Sequence, residues 1–166
     1  MNTRGLPPVI GITGVKNSGK TTLMVKLIEA LSGRGLRVGS IKHDAHHFDP
    51  DVPGRDSWRH RQAGAFASAV FDRDKYMLIK DEPQSIDGLL HMMAEADIVL
   101  IEGARETPYP KIEVVRRGNS NQAIAPPEQL IALATDTDLT LPGVPSVDIN
   151  DVDGLVEIIL TFIRVV

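Results

Sequence analysis

Gly14, Gly19, Lys20 and Thr21 stand in the order G-x-x-x-x-G-K-[ST] within the stretch GVKNSGKTTL. Residues of these types at this spacing grip a nucleotide phosphate. Glycine lets the backbone turn its N–H groups inward around phosphate oxygens. A helix starting there adds unpaired N–H groups and the positive end of its dipole. The Lys20 amine reaches the β and γ phosphates, and the Thr21 hydroxyl binds the Mg2+ that bridges them. Lys16, Asn17, Ser18 and Thr22 complete the loop. An extra loop lysine reaches across a dimer in one subclass of phosphate-binding loops, but directly after the first glycine. Val15 holds that place here, so Lys16 is read as solvated or phosphate-near.

A second acid is expected near the metal, at the end of a buried strand. IVLIEG supplies Glu102 after four apolar residues. Lys20 and Glu102 are therefore the candidate catalytic residues, and Thr21, Glu102 and Asp44 the candidate metal shell. Arg105 could pair with Glu102 or with phosphate. His43, His46 and His47 in HDAHHFDPD leave two readings open. One is a transition-metal site, since imidazole suits zinc, nickel or copper. The other is a nucleotide-responsive loop with Asp44 or Asp49 near magnesium. The usual N-K-x-D guanine motif is absent, but ALATD puts Asp136 at the end of a predicted strand. Asp136 could accept the N1–H and N2–H groups of guanine, or could cap a turn with Asp138.

The elements that must position these groups are legible in the pattern. VIGITG reads as a buried strand, and Leu23, Met24, Leu27, Ile28 and Leu31 follow at helical spacing. Gly33 and Gly35 are stop signals, and LRVGSIKH is a second strand, giving a βαβ unit. DSWRHRQAGA predicts a short helix with Asp56 as N-cap. FASAVF and YMLIK flank the turn Asp72–Lys75 and predict an antiparallel hairpin. SIDGLLHMMAEA predicts a helix; DIVLIEG, KIEVVRR, QLIALATD and PSVDI predict strands; a last helix runs from Asp151. The sum is an α/β P-loop NTPase fold with a mostly parallel sheet flanked by helices, plus the hairpin, as a single nucleotide-binding domain over residues 1–166.

The chain of 166 residues is 42% hydrophobic and 24% charged, which suits one domain with its own core. A net charge of −4 gives no electrostatic footprint for nucleic acid or an anionic membrane. The absence of cysteine excludes disulfides and thiolate metal sites. No apolar run approaches the roughly 20 residues that span a bilayer, and PPVIGIT lacks a secretory pattern. A soluble, cytoplasmic protein is expected.

Three segments, VIGITGVKNSGKTTL, IKHDAHHFDPDVPGRDSWRHRQAGA and DIVLIEGARETPYPKIEVVR, together resemble the molybdopterin-guanine dinucleotide biosynthesis protein B (MobB) family. They keep the family order across most of residues 8–116. The middle one is the most specific, because it joins K-H-x-x-H to P-G-[KR]-D-[ST]. The resemblance implies a SIMIBI-type P-loop protein that binds GTP with Mg2+, hydrolyses it weakly, and assists the guanylyltransferase that joins GMP to molybdopterin. Other cofactor-biosynthesis enzymes are possible partners. It implies that Gly14 to Thr22 hold phosphate and magnesium and that Glu102 is the acid of the second motif. Lys42, His43 and the turn Pro53–Asp56 would form the loop beside the site, with Arg55 where lysine is common. It also implies a homodimer associated with the hairpin, whose edges are ready for strand pairing. Two rival readings are an ATP-dependent small-molecule kinase or ligase of the dethiobiotin-synthetase type, with Lys42 and Asp44 as its best catalytic candidates, and a metallochaperone GTPase using the histidine loop.

Overall fold

The computed structural model describes residues 5–43, 48–103 and 105–165. β-Branched and aliphatic runs with no exposed alternation become the central strands β1 (Val9–Thr13) and, later in the chain, β5 (Ile98–Glu102). Every residue of both is buried, as expected for strands covered on both faces. Between them come α1 (Lys20–Gly33), β2 (Val38–Lys42), α2 (Asp56–Gln62), β3 (Ala67–Phe71), β4 (Tyr76–Lys80) and α3 (Ile86–Met92). After them come β6 (Lys111–Val115), a 3-10 turn at Pro127–Gln129, β7 (Leu130–Thr135), β8 (Ser146–Asp148) and α4 (Val152–Val165).

Six strands form one parallel sheet in the order β2-β5-β1-β6-β7-β8. The predicted hairpin is present as a separate antiparallel pair, β3 with β4. By internal contacts the chain falls into two compact units, residues 1–43 with 87–166, and residues 44–86. The first carries the sheet, and its core gathers Ile10 and Ile12 of β1, Leu23, Leu27 and Leu31 of α1, Leu100 of β5 and Leu155, Val156 and Ile159 of α4. The apolar stripe read along α1 is thus the stripe it buries. At its C-terminus Gly35, with φ +85°, donates to Ser32 O at 2.9 Å, and Leu36 donates to Leu31 O at 3.3 Å. That is the glycine stop foreseen, with Gly35 rather than Gly33 as the left-handed residue.

Glu157, Thr161 and Arg164 of α4 are exposed on one face, as their spacing implies. Asp56 is not the N-cap of α2. It is the first helical residue, Arg55 precedes it in extended conformation, and no side chain caps the end. Its carboxylate still sits in the first turn, where the helix dipole favours it.

The 44–86 unit is organised by Arg61, whose side chain is only 10% exposed. The guanidinium lies 2.9 Å from Asp49 and 3.0 Å from Asp81. It also lies 3.8 Å from Asp51, which is itself buried and accepts from Ser57 Oγ at 3.0 Å. One cation thereby ties the segment before α2 to the segment after β4.

Candidate functional site

Parallel strands deliver their carboxyl ends to one edge of the sheet, and open α/β sheets bind ligands there. β1 ends at Thr13, and the next residues fold into a loop rather than continuing the strand. Gly14 (φ +138°), Asn17 (φ +63°) and Gly19 (φ +100°) all have left-handed backbone, which turns successive N–H groups toward one concavity. Gly14 is fixed by space as well. A Cβ there would lie 2.5 Å from Val114 O and 2.8 Å from Ser18 Oγ. α1 then begins at Lys20, so the loop ends on helical N–H groups without intrahelical partners.

Lys20 Nζ folds back on the loop, donating to Gly14 O at 3.1 Å and Val15 O at 2.8 Å. Ser18 is fully buried, and its hydroxyl has no hydrogen-bond partner among the described residues. Lys16 and Asn17 are exposed at the loop tip, and Asn119 Nδ2 donates to Lys16 O at 3.0 Å. Thr21 Oγ1 donates to Glu102 Oε1 at 2.8 Å. Glu102 is the last residue of β5, and its Cα is in register with Ile12 on one side and Lys42 on the other. The structure therefore brings together residues 81 positions apart that the motif reading assigned to one metal site. Thr21 and Glu102 offer hard oxygen donors of the kind Mg2+ takes. Just beyond, Gly103 (φ +88°) leaves no room for a side chain, because a Cβ would sit 2.9 Å from His43 O.

Other residues fall elsewhere. Arg105 does not pair with Glu102; its guanidinium donates to Ile124 O at 3.5 Å. The cation on Glu102 is Lys42, at 3.5 Å. His43 is exposed, with its N–H on Glu102 O at 2.9 Å. Asp44, His46 and His47 lie outside the described residues. Among the described residues no group of three or more His, Asp or Glu is arranged to hold a metal ion.

Asp136 follows β7 at the same edge. It faces a cleft that starts at Gly19 and Thr22 of the loop and runs between Lys26, Arg116, Ile149 and Asn150. Its Oδ1 accepts from Arg117 N at 2.6 Å, and Arg117 Nη2 donates to Asp136 O at 3.1 Å. A carboxylate has about four lone-pair sites, so this anchoring orients the group and leaves it further acceptor capacity. Arg116, whose Nη1 would lie 3.6 Å from a Cβ on Gly19, stands over the loop. Arg116, Asn119 and Asn150 were missed in the sequence because each sits in a turn whose position depends on the sheet order, not on any local motif.

A left-handed glycine loop closing on a helix, beside a carboxylate at the end of the neighbouring strand, defines the P-loop class of α/β proteins. The family model described as "Molybdopterin guanine dinucleotide synthesis protein B" matches residues 9–136. Similar curated proteins are both called molybdopterin-guanine dinucleotide biosynthesis adapter protein. The one from Escherichia coli (strain K12) is 35% identical, with 95% of this chain and 94% of that protein covered. The one from Haemophilus influenzae is 34% identical, with 92% and 87% covered. The crystal structure of Bacillus subtilis MobB superposes with a TM-score of 0.75 at 27% identity, covering 93% of this chain and 96% of that one. The chain belongs to the MobB family. No helix among its described residues is long and apolar enough to cross a membrane.

Proposed function

We propose that the chain is a GTP- and Mg2+-binding adapter in molybdopterin guanine dinucleotide biosynthesis, assisting a guanylyltransferase and hydrolysing GTP only weakly. The observation that carries the nucleotide reading is the Thr21–Glu102 hydrogen bond of 2.8 Å at the mouth of the loop. It joins the two oxygen donors a phosphate-bound Mg2+ requires. Lys20 and the loop N–H groups would hold the phosphates, and the metal would neutralise charge on them.

Glu102 would be taken up with Thr21 in holding the metal rather than free to take a proton from water, which favours slow hydrolysis. Asp136 supports guanine over adenine. Its carboxylate would accept guanine N1–H and N2–H but would meet the lone pair of adenine N1. The relatives' role as adapters supports the place in the pathway. The exposed hairpin supports a homodimer, as the family resemblance implies.

Competition binding tests the reading. GTP should displace a labelled guanine nucleotide far better than ATP, and Lys20→Ala should remove triphosphate binding. Asp136→Asn should cost GTP about tenfold or more, the scale of a hydrogen bond to a charged group, and leave ATP nearly unaffected. Equal competition by ATP and GTP would discard the guanine assignment. Unchanged GTP affinity in Lys20→Ala would discard the phosphate site.

A further inference from the structure

We propose that Lys42 is the resident counter-cation of Glu102 and the residue that distinguishes a nucleoside triphosphate from a diphosphate. The proposal rests on the nucleotide reading above and names how that site senses its ligand. β2 and β5 are parallel neighbours, and Lys42 and Glu102 are register partners at the last position of each. Adjacent strands lie about 4.8 Å apart, so the two side chains leave the sheet edge side by side. Lys42 Nζ lies 3.5 Å from Glu102 Oε1, the same oxygen that accepts from Thr21. The ammonium therefore stands at the metal end of the phosphate loop, not along its length.

The two partners differ in freedom. The Glu102 side chain is 11% exposed and held by Thr21, whereas the Lys42 side chain is 62% exposed. The carboxylate is fixed and the lysine can move. Glu102 is buried at the edge of an apolar strand, and a carboxylate there needs a neighbouring cation. Lys42 supplies it. Lys42 and a divalent metal would compete for that carboxylate, because both are drawn to the same negative charge. Lys42 released from Glu102 would find its next anion in the terminal phosphate of a bound triphosphate. Lys20 belongs to the loop itself; its hydrogen bonds to Gly14 and Val15 carbonyls place it along the loop. Lys20 serves any bound phosphate chain, and Lys42 serves the last phosphate alone.

The experiment uses the full chain and calorimetric binding of GTPγS and GDP, at graded MgCl2 and in EDTA. Lys42→Met should weaken GTPγS about tenfold, the loss of one charge-assisted hydrogen bond, while GDP affinity stays near wild type. The same variant should need less Mg2+ for half-maximal GDP binding, because Glu102 has lost its competing cation. Lys42→Arg should restore most of the triphosphate preference. An unchanged ratio of GTPγS to GDP affinity, or an equal loss for both, overturns the assignment of Lys42 and leaves the nucleotide site standing. Wild-type protein that binds neither nucleotide removes the site and this role together.

Discussion

Among the described residues Lys111 is the largest fully buried side chain, and none of them sets a carboxylate beside its amine. Its Nζ donates to Thr107 O at 2.5 Å, Tyr109 O at 2.7 Å and Gln129 Oε1 at 2.8 Å, pinning the segment after Glu102 to the turn before β7. Two residues on, buried Glu113 accepts from the N–H groups of Ile124 and Ala125. Burial lowers the Lys111 pKa from its ordinary value of 10.5. Between that lowered value and 10.5 the unfolded chain binds more protons than the folded one, so this residue makes stability rise with pH there. Below the window both states are protonated and the slope vanishes. Lys111→Met should cost about 1–3 kcal/mol at neutral pH, the scale for stranding buried acceptors. The gap from wild type should widen as pH climbs toward 10.5. Urea midpoints of both proteins at several pH values measure it; a gap that stays constant would contradict a depressed lysine. Nothing in KIEVVRR announces this burial, because charged residues alternating with apolar ones also describe a half-exposed strand. The left-handed glycine loop entering α1, by contrast, was legible, since its pattern is contained in consecutive residues. Lys42 with Glu102, and Asp136 with Arg117, were not paired in advance because their meeting depends on strand register and sheet order.

The hairpin shows what an element's pattern reveals and where it stops. Asp72 Oδ1 accepts from Asp74 N at 2.8 Å and Lys75 N at 2.9 Å, so the charged turn builds itself locally, and both strands were readable. Its surroundings were not. Phe71 and Tyr76 face each other in register at 81% and 79% exposure, and Val70, Met77 and Leu78 are exposed as well. Val70 and Met77 point to the opposite face from Phe71 and Tyr76, so at its turn end the ribbon is apolar and open on both sides, while Ser68 farther along is buried against α2. A lone two-stranded ribbon is marginal in water, and such a patch calls for a cover. A second copy of the chain is the proposed cover. Replacing both Phe71 and Tyr76 by Lys should convert a dimer to a monomer in light-scattering mass. The fold of the sheet-bearing unit should survive, because neither ring is part of its core. A dimeric mass that persists would place the interface elsewhere. Within the same unit Arg61 is the vulnerable tie. Arg61→Met leaves the buried Asp51 carboxylate without its nearest cation, so limited proteolysis should cut residues 48–81 faster than in wild type, while sites in the sheet stay protected. Equal cutting rates would mean that the Arg61 contacts do not hold this unit.

At the scale of the molecule, the order β2-β5-β1-β6-β7-β8 explains why one short loop can govern a whole surface. β1 lies between β5 and β6, so its loop meets Glu102 on one side and Arg116 on the other. β7 and the turn after β8 then bring Asp136 and Asn150 to the same edge. Under the proposed function, a nucleotide there would touch the ends of strands from across the sheet and would give a partner protein a broad surface whose contacts depend on it. An adapter needs that, and a fast enzyme does not. In a reconstituted synthesis with molybdopterin, GTP and the guanylyltransferase, wild-type chain should raise the rate of dinucleotide formation. Lys20→Ala should fail to do so, because its phosphate grip is gone while its outer surface is intact. The comparison separates two kinds of adapter. Stimulation lost with Lys20 means the partner responds to the nucleotide-bound edge of the sheet. Equal stimulation by Lys20→Ala means the chain acts as a scaffold whose loop is incidental to the partner, and the proposal that its GTP site serves the guanylyltransferase would have to be given up.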